Sequence, residues 1–453
     1  MLKRSFPVLL IIIMMLVAVI PAATTAQGDP VTITWFVGLG AGGQPEQIEA
    51  QNAVVEAFNE SHDDIELEIV IVDNTVAFDT LSTLIASGEA PDIVGPVGIK
   101  GANAYAGQWL DLQPIVDSTG YDLSRWEQPL VDFYRVEGEG LIGLPFGVFP
   151  SFIYFNRDLF DEAGLDYPPQ AFGEPYADGE EWTIEKMAEL GRLLTVDAEG
   201  NDATSEEFDA ESIEQYGFVA QWAPDFRSGA TLFGAGNLVD ENGDAMVPEN
   251  WVEAANWYYD GMWGDQPFIP NDPAVQSDML AAGNAFSSGN VAMAFSHLWY
   301  TCCLGDAAES WDIAVVPSYN GETTAKFHAD TFRILEATEH PEEAFEVLSY
   351  LVTDAAPQLL QVYGGMPTDA AAQEAFFATL DETYPQGVNW QVAIDSTQYP
   401  DIPSHEGFMP NFNKADERQT AFWTLLASSG DIDVAAELET LQADLQAIFD
   451  EVE

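Results

Sequence analysis

The sequence predicts an α/β protein of more than one domain, built on mostly parallel sheets covered by helices. Three observations carry this expectation. Apolar alternation and helical periodicity take turns from Val31 onward, the pattern of a parallel sheet. The 453 residues are 47% apolar and 12% aromatic, enough for two or three cores. Two β-rich stretches, 138–160 and 311–321, are broken by Pro and Gly, as chain passing between domains would be.

The elements follow in order. "VTITWFV" alternates Val31, Ile33, Trp35 and Val37 and reads as a strand. After "GLGAGG", Pro45 sits in a first helical turn, and Ile48, Val55 and Phe58 recur on one face with Val54 beside it. "IELEIVIVD" is the second strand. "TLSTLIASG" places Leu81, Leu84 and Ile85 at helical spacing with Gly88 as its cap, and "PDIVGP" is a short strand ended by Gly95 and Pro96. A helix starts near Thr183, and alternation continues through "YGFVAQW", "WVEAANWYYDGMW" and "GNVAMAFSHLWY". "HPEEAFEVLSYLVTD" is an amphipathic helix with Ala344, Val347, Leu348 and Leu351 on its face, and "VAAELETLQADLQAIF" is another. Internal repeats and low-complexity tracts are not found.

Residues 1–26 read as a secretory signal: Lys3 and Arg4 precede an apolar run from Val8 to Ile20, and "PAATTA" offers cleavage after Ala26. The run is shorter than a membrane span, and retention as an uncleaved anchor is the alternative. With no Cys near the cut, a lipid anchor is not expected, and the protein is placed in the periplasm or outside the cell. Against 13 Lys and Arg stand 76 Asp and Glu, a formal charge of −63. Such a surface repels nucleic acid, anionic lipid and phosphate-rich ligands. The acids are spread along the chain, which fits solubility better than an acidic tail.

Gly38, Gly40 and Gly43 fit the dinucleotide fingerprint between a strand and a helix, with Asp73 ending the next strand. Export, the net charge, and a spacing to Asp73 beyond the usual ~20 residues count against a nucleotide. The stretch reads instead as a turn that lets backbone amides face a ligand. "GxSxG", "HExxH" and P-loop patterns are missing, and the five histidines (His62, His297, His328, His340, His405) are scattered. No catalytic residue, cofactor or metal is therefore expected. Asp240, Asn242 and Asp244, like Asp197, Glu199 and Asn201, alternate oxygen ligands but lack the EF-hand glycine, and read as ordinary acidic turns. The only cysteines, Cys302 and Cys303, are adjacent. Their Cα atoms would lie ~3.8 Å apart against the usual disulfide span of roughly 4.4 to 6.8 Å. A strained bridge bracing the turn and a pair of buried thiols both remain open.

Ligands of open α/β sheets sit beyond the carboxyl ends of the strands. That rule selects Gly38, Leu39 and Gly40; Gly95, Pro96 and Val97; Gln221 with Trp222; and the stretch from His297 through Trp299 and Tyr300.

At "GLIGLPFGVFPSFIYFNRDLFDEAGLDYPP" the chain resembles the extracellular solute-binding proteins of family 1, the maltose-binding-protein-like receptors of ABC importers. "LSTLIASGEAPDIV", "GQWLDLQPI", "EWTIEKMAEL", "FSSGNVAMAFSHLWY", "WDIAVVPSYNG", "HPEEAFEVLSYLVTD" and "GGMPT" extend the likeness in the family's order. The resemblance implies a two-lobed periplasmic-binding-protein fold whose lobes, joined by a multi-segment hinge, close on a ligand. The crossings would fall at 145–148, at 315–318 and near Leu351. The N-terminal lobe would then hold residues 29–146 and 318–354, and the C-terminal lobe 147–317 and 355–453.

It further implies that Trp299 stacks on a sugar, with Gln221 and Trp222 near a second contact and Phe149 after the first crossing. His328, Asp330, Gly365, Met366, Phe408 and Met409 would face the cleft. Where the maltose receptors use charged side chains in the first βα loop, this chain has Gly38, Leu39 and Gly40, so maltose itself is not implied. The expected protein is a monomeric, non-enzymatic receptor that captures a carbohydrate, an oligosaccharide above all, and hands it to an ABC permease. A secreted carbohydrate-active enzyme and a receptor for a non-sugar solute are the alternatives.

Overall fold

The computed structural model describes residues 30–451 apart from 127, 137 and 306–309; the expected signal segment lies outside them. Eight strands matter for the site: β1 (Val31–Val37), β2 (Ile65–Ile71), β3 (Ile93–Val97), β4 (Gly147–Asn156), β5 (Ile213–Ala220), β6 (Val291–His297), β7 (Trp311–Ala314) and β8 (Phe327–Ile334). They join one twisted sheet in the order β2-β1-β3-β8-β4-β6-β5, with β7 on the far half of β4. β1, β2 and β3 run parallel, as do β5 and β6, whereas β4 and β8 run against their neighbours.

Helices cover the sheet, and their sequences explain where they start and stop. Pro45–Ser61 begins on its proline and buries Gln47, Ala50, Gln51, Val54 and Phe58. Val54 thus belongs to the buried stripe, while Ile48 and Val55, expected there, are only partly covered. Asn74–Ser87 is capped by the Asp73 carboxylate at one end and by Gly88, at φ 77°, at the other. The Thr183 hydroxyl accepts from the Lys186 amide to start Ile184–Leu193. That helix lies so close to β5 that a Cβ on Gly217 would come 1.9 Å from the Gly191 carbonyl oxygen.

Two cores share the sheet. One gathers β1, β2, β3, the segment up to Phe146, and 332–363; the other takes Val148 to Ala329 and everything from Met366 to Leu445. β4 lies in the larger core: its first half pairs with β8 and with Met366–Pro367, its second half with β6 and β7. β8 belongs to both, pairing with β4 through Phe327 to Asp330 and with β3 through Thr331 to Ile334.

The buried residues change from one cluster to the other between Phe146 and Val148, between Ala329 and Phe332, and between Tyr363 and Met366. At 315–318, Val315 and Val316 are buried in the larger core, and the Val315 and Ser318 amides bond to Pro169 and Trp182 carbonyls of the same core. The chain crosses instead within β8. The third passage waits until the helix Ala356–Tyr363 has packed Leu359, Leu360 and Tyr363 on the smaller core. Apolar runs end at Pro317 and Leu351 for local reasons, which sequence periodicity cannot tell from a change of core.

Candidate functional site between the two cores

β6 ends at His297, and the tight turn Leu298–Cys303 projects Trp299 out of the sheet. β5 ends in Trp222, held at φ 52° with its indole N–H donating to the Gly283 carbonyl at 3.1 Å. The two indoles lie parallel, centroids 5.9 Å apart and 9° between planes. Trp222 keeps 42% of its surface exposed.

Imidazoles continue this layer. His297 stacks on His328 at 3.8 Å and beside Trp299 at 5.5 Å, and His328 lies 5.3 Å from His405. The Trp299 Nε1–H donates to His328 Nδ1 at 3.3 Å, His328 Nε2 and His405 Nε2 are 3.3 Å apart, and His405 Nδ1 is 2.7 Å from Asp401 Oδ2. Since indole can only donate and the ionised carboxylate only accept, the protons order themselves from Trp299 through both imidazoles to Asp401. Burial, reinforced by the neighbouring imidazoles, holds His297 and His328 well below the usual histidine range, which fits neutral rings. The five histidines that look scattered in sequence thus contribute three to one stack.

A cavity of about 60 Å³ opens beside this layer, lined by His328, His405, Glu406, Lys100, Asp225 and Asp416 among others. Lys100, carried by the smaller core, reaches across to Asp225 at 2.9 Å and Asp416 at 2.8 Å on the larger one. Burial works against its charge, but the two carboxylates outweigh it and raise its pKa. The partners move oppositely: burial pushes Asp225 up but Lys100 and the Ser228 amide pull it further down, whereas burial and the Asp225 charge leave Asp416 raised. Further links close the gap, from the Asn103 amide to the Glu406 carbonyl at 2.8 Å and from Asn413 to the Ala104 carbonyl at 3.3 Å. Beneath them Lys326 is buried, which lowers its pKa to about 8.

Gly98 has no side chain to fend off two carboxylates: a Cβ there would lie 2.9 Å from Asp330 Oδ1 and 3.4 Å from Glu406 Oε2. Burial and then the Glu406 charge push Asp330 up to about 7.

The remaining expected residues divide. Gly40 packs where a Cβ would meet the Pro96 carbonyl and, at 3.2 Å, Asp330 Oδ2, so the loop end of β1 does reach the site. Gly38, at φ 154°, instead fits under the Val72 carbonyl, Leu39 leans on a small apolar cluster, and Gly95 and Val97 pack against β8 and its surroundings. Gln221 is spent structurally, accepting from the Phe286 amide and donating to the Gly283 carbonyl. Tyr300, Met366 and Met409 are buried in the larger core, and Gly365 packs on the buried Phe149 ring, so these five have no surface to offer. Phe408 is 53% exposed and lies at the rim beside Phe412. Cys302 and Cys303 are joined as a disulfide, and Asn284 donates to the Cys303 carbonyl. The Asp197 and Asp240 carboxylates accept amides of their own turns.

Sequence reasoning missed Lys100, Asp225, Arg227, His405, Glu406 and Asp416. "PSHEGF" was the one readable sign, a His-Glu pair in a Pro/Gly/Ser loop next to the expected Phe408.

The family model described as bacterial extracellular solute-binding protein matches residues 43–357. An ABC substrate-binding protein of Listeria monocytogenes, solved in complex with cycloalternan, superposes with a TM-score of 0.72 at 20% identity, covering 92% of this chain and 99% of that one. The Thermus thermophilus maltotriose binding protein bound with maltotriose gives 0.64 at 18%, and maltose-bound MalE3 of T. maritima 0.66 at 18%, each covering 92% and 99%. These structures share the fold, two α/β lobes about a central cleft. With well over half its length matched, the chain belongs to the bacterial extracellular solute-binding protein family.

Proposed function

We propose that this protein is the receptor of an ABC importer and captures a carbohydrate between its two cores. The observation that carries this reading is the Trp222–Trp299 platform, a partly exposed aromatic pair beside a cavity of charged, imidazole and hydroxyl groups. Pyranose C–H faces cover such a ring while carboxylates and Lys100 fix the hydroxyls. The oligosaccharides in the similar structures favour the same class. The lobes we assign follow the cores, 31–146 with 332–363 and 148–329 with 366–449, and ligand contacts from both would stabilise the closed state that a permease reads. The signal at 1–26, release as a monomer and the permease partner belong to the same proposal.

Titration with a sugar panel, read by intrinsic Trp fluorescence and melting temperature, tests it. Trp222→Ala should weaken the best ligand by about 2 kcal/mol, roughly thirtyfold. An unchanged affinity in that variant would remove the platform from the site. The bound oligosaccharide should be recovered intact; turnover would replace the receptor reading with an enzyme.

A further inference from the structure

His328, His405 and Glu406 place three ligand atoms within 4.8 Å of one another at the wall of the cavity. Two imidazole nitrogens held tetrahedrally at Zn–N distances of about 2.0–2.1 Å would be roughly 3.3 Å apart, and His328 Nε2 and His405 Nε2 are 3.3 Å apart. Glu406 Oε1 lies 3.8 Å from His328 Nε2, and the other carboxylate oxygen, Oε2, is buried with no hydrogen-bond partner. A buried carboxylate oxygen without a donor is costly unless a cation takes that place.

The surroundings fit the same purpose. His405 presents Nε2 because its Nδ1 is bonded to Asp401, and Asp401 is itself fixed by the Phe327 and His405 amides. That carboxylate–histidine arrangement orients metal-ligating imidazoles. His328 and Glu406 side chains retain 23% and 12% exposure toward the cavity, leaving an approach for the ion.

We propose that His328, His405 and Glu406 form a site for a divalent transition-metal ion, of the zinc class, with an open position facing the cavity. Nitrogen ligands exclude calcium and magnesium as its preferred occupants. Binding moves the His328 proton from Nε2 to Nδ1 and so breaks the hydrogen bond from Trp299. The ion and the indole are thereby coupled, whatever solute the protein carries.

Full-length protein titrated with Zn2+ in a large excess of Mg2+, which occupies the surface carboxylates, tests the site. One Zn2+ per chain should bind, Trp fluorescence should change with it, and Co2+ in its place should give the visible bands of a low-coordinate nitrogen site. His328→Gln and His405→Gln should each lower the affinity about 100-fold, and Asp401→Asn, acting through His405, about tenfold. His328 is partly exposed, so H328Q serves if H405Q fails to fold. Loss of all binding in Mg2+, or stoichiometric binding that survives in H328Q and E406Q alike, would overturn the proposal.

Discussion

Trp222 has a left-handed backbone that a bulky residue rarely accepts, and it is held there by a hydrogen bond from its own indole. Stacking and anchoring are therefore separable. Trp222→Phe keeps a ring face but drops the donor, so it should bind solute within a few-fold of the parent while melting earlier; calorimetry on both variants distinguishes the two roles. Asp197 allows a pH test away from the site. Burial favours its neutral form, but amides of Asn201, Asp209 and Glu199 outweigh this and hold its pKa at about 2 against the ordinary 3.8. The folded state thus releases this proton more readily than the unfolded chain, so its contribution is complete above about pH 4 and disappears as pH falls through 2. Asp197→Asn should melt earlier at neutral pH and lose less stability between pH 4 and 2, read by thermal scans across that range.

Single residues were legible where one rule selected them. Trp222 and Trp299 follow strands, and the strand-end rule finds them without knowledge of the pairing. His405 and Glu406 sit in a loop with no period, 77 residues beyond His328, and only the sheet order brings them together. Tyr300 and Met409 show the converse: near the site in sequence, they turn into the core because the tight turn and the helix after Asn411 rotate them inward.

Among the elements, the helix Ile184–Leu193 and β5 come closest at Gly191 and Gly217. Gly217→Ala should cost about 3 kcal/mol in denaturant unfolding, since neither backbone can retreat without moving an element. The other sensitive contact is Lys100, which neutralises two carboxylates across the gap. Lys100→Met removes both ion pairs across the gap, so the ligand-free protein should open, with a larger radius of gyration in X-ray scattering. An unchanged radius would mean that the ion pairs form only after closure. The strands and most helix ends were legible here, because alternation, Gly88 and Thr183 are local signals. Helix faces were less so: on Pro45–Ser61, Gln47 and Gln51 turn inward to bond the Gly42 loop and the Val362 carbonyl, displacing apolar residues that periodicity would have buried.

For the whole molecule, charge dominates. A formal −63 on one compact chain repels itself, and salt should relieve this. Raising NaCl from 10 mM to 1 M shortens the Debye length from about 30 Å to about 3 Å, and the melting temperature should rise; a fall would mean that surface ion pairs outweigh the repulsion. The α/β class and two-part organisation were readable from alternation and length. Where the chain passes from one core to the other was less so, because β8 serves two cores as one continuous strand.

Sharing a strand in this way also dictates when the protein can fold. The smaller core holds the first strands, yet it is closed by Phe332 to Tyr363. A chain emerging from its N-terminus therefore keeps that core unfinished until residue 363 of 453 has appeared. Until Thr331 to Ile334 arrive, β3 presents an unpaired edge, a feature that favours wrong pairing.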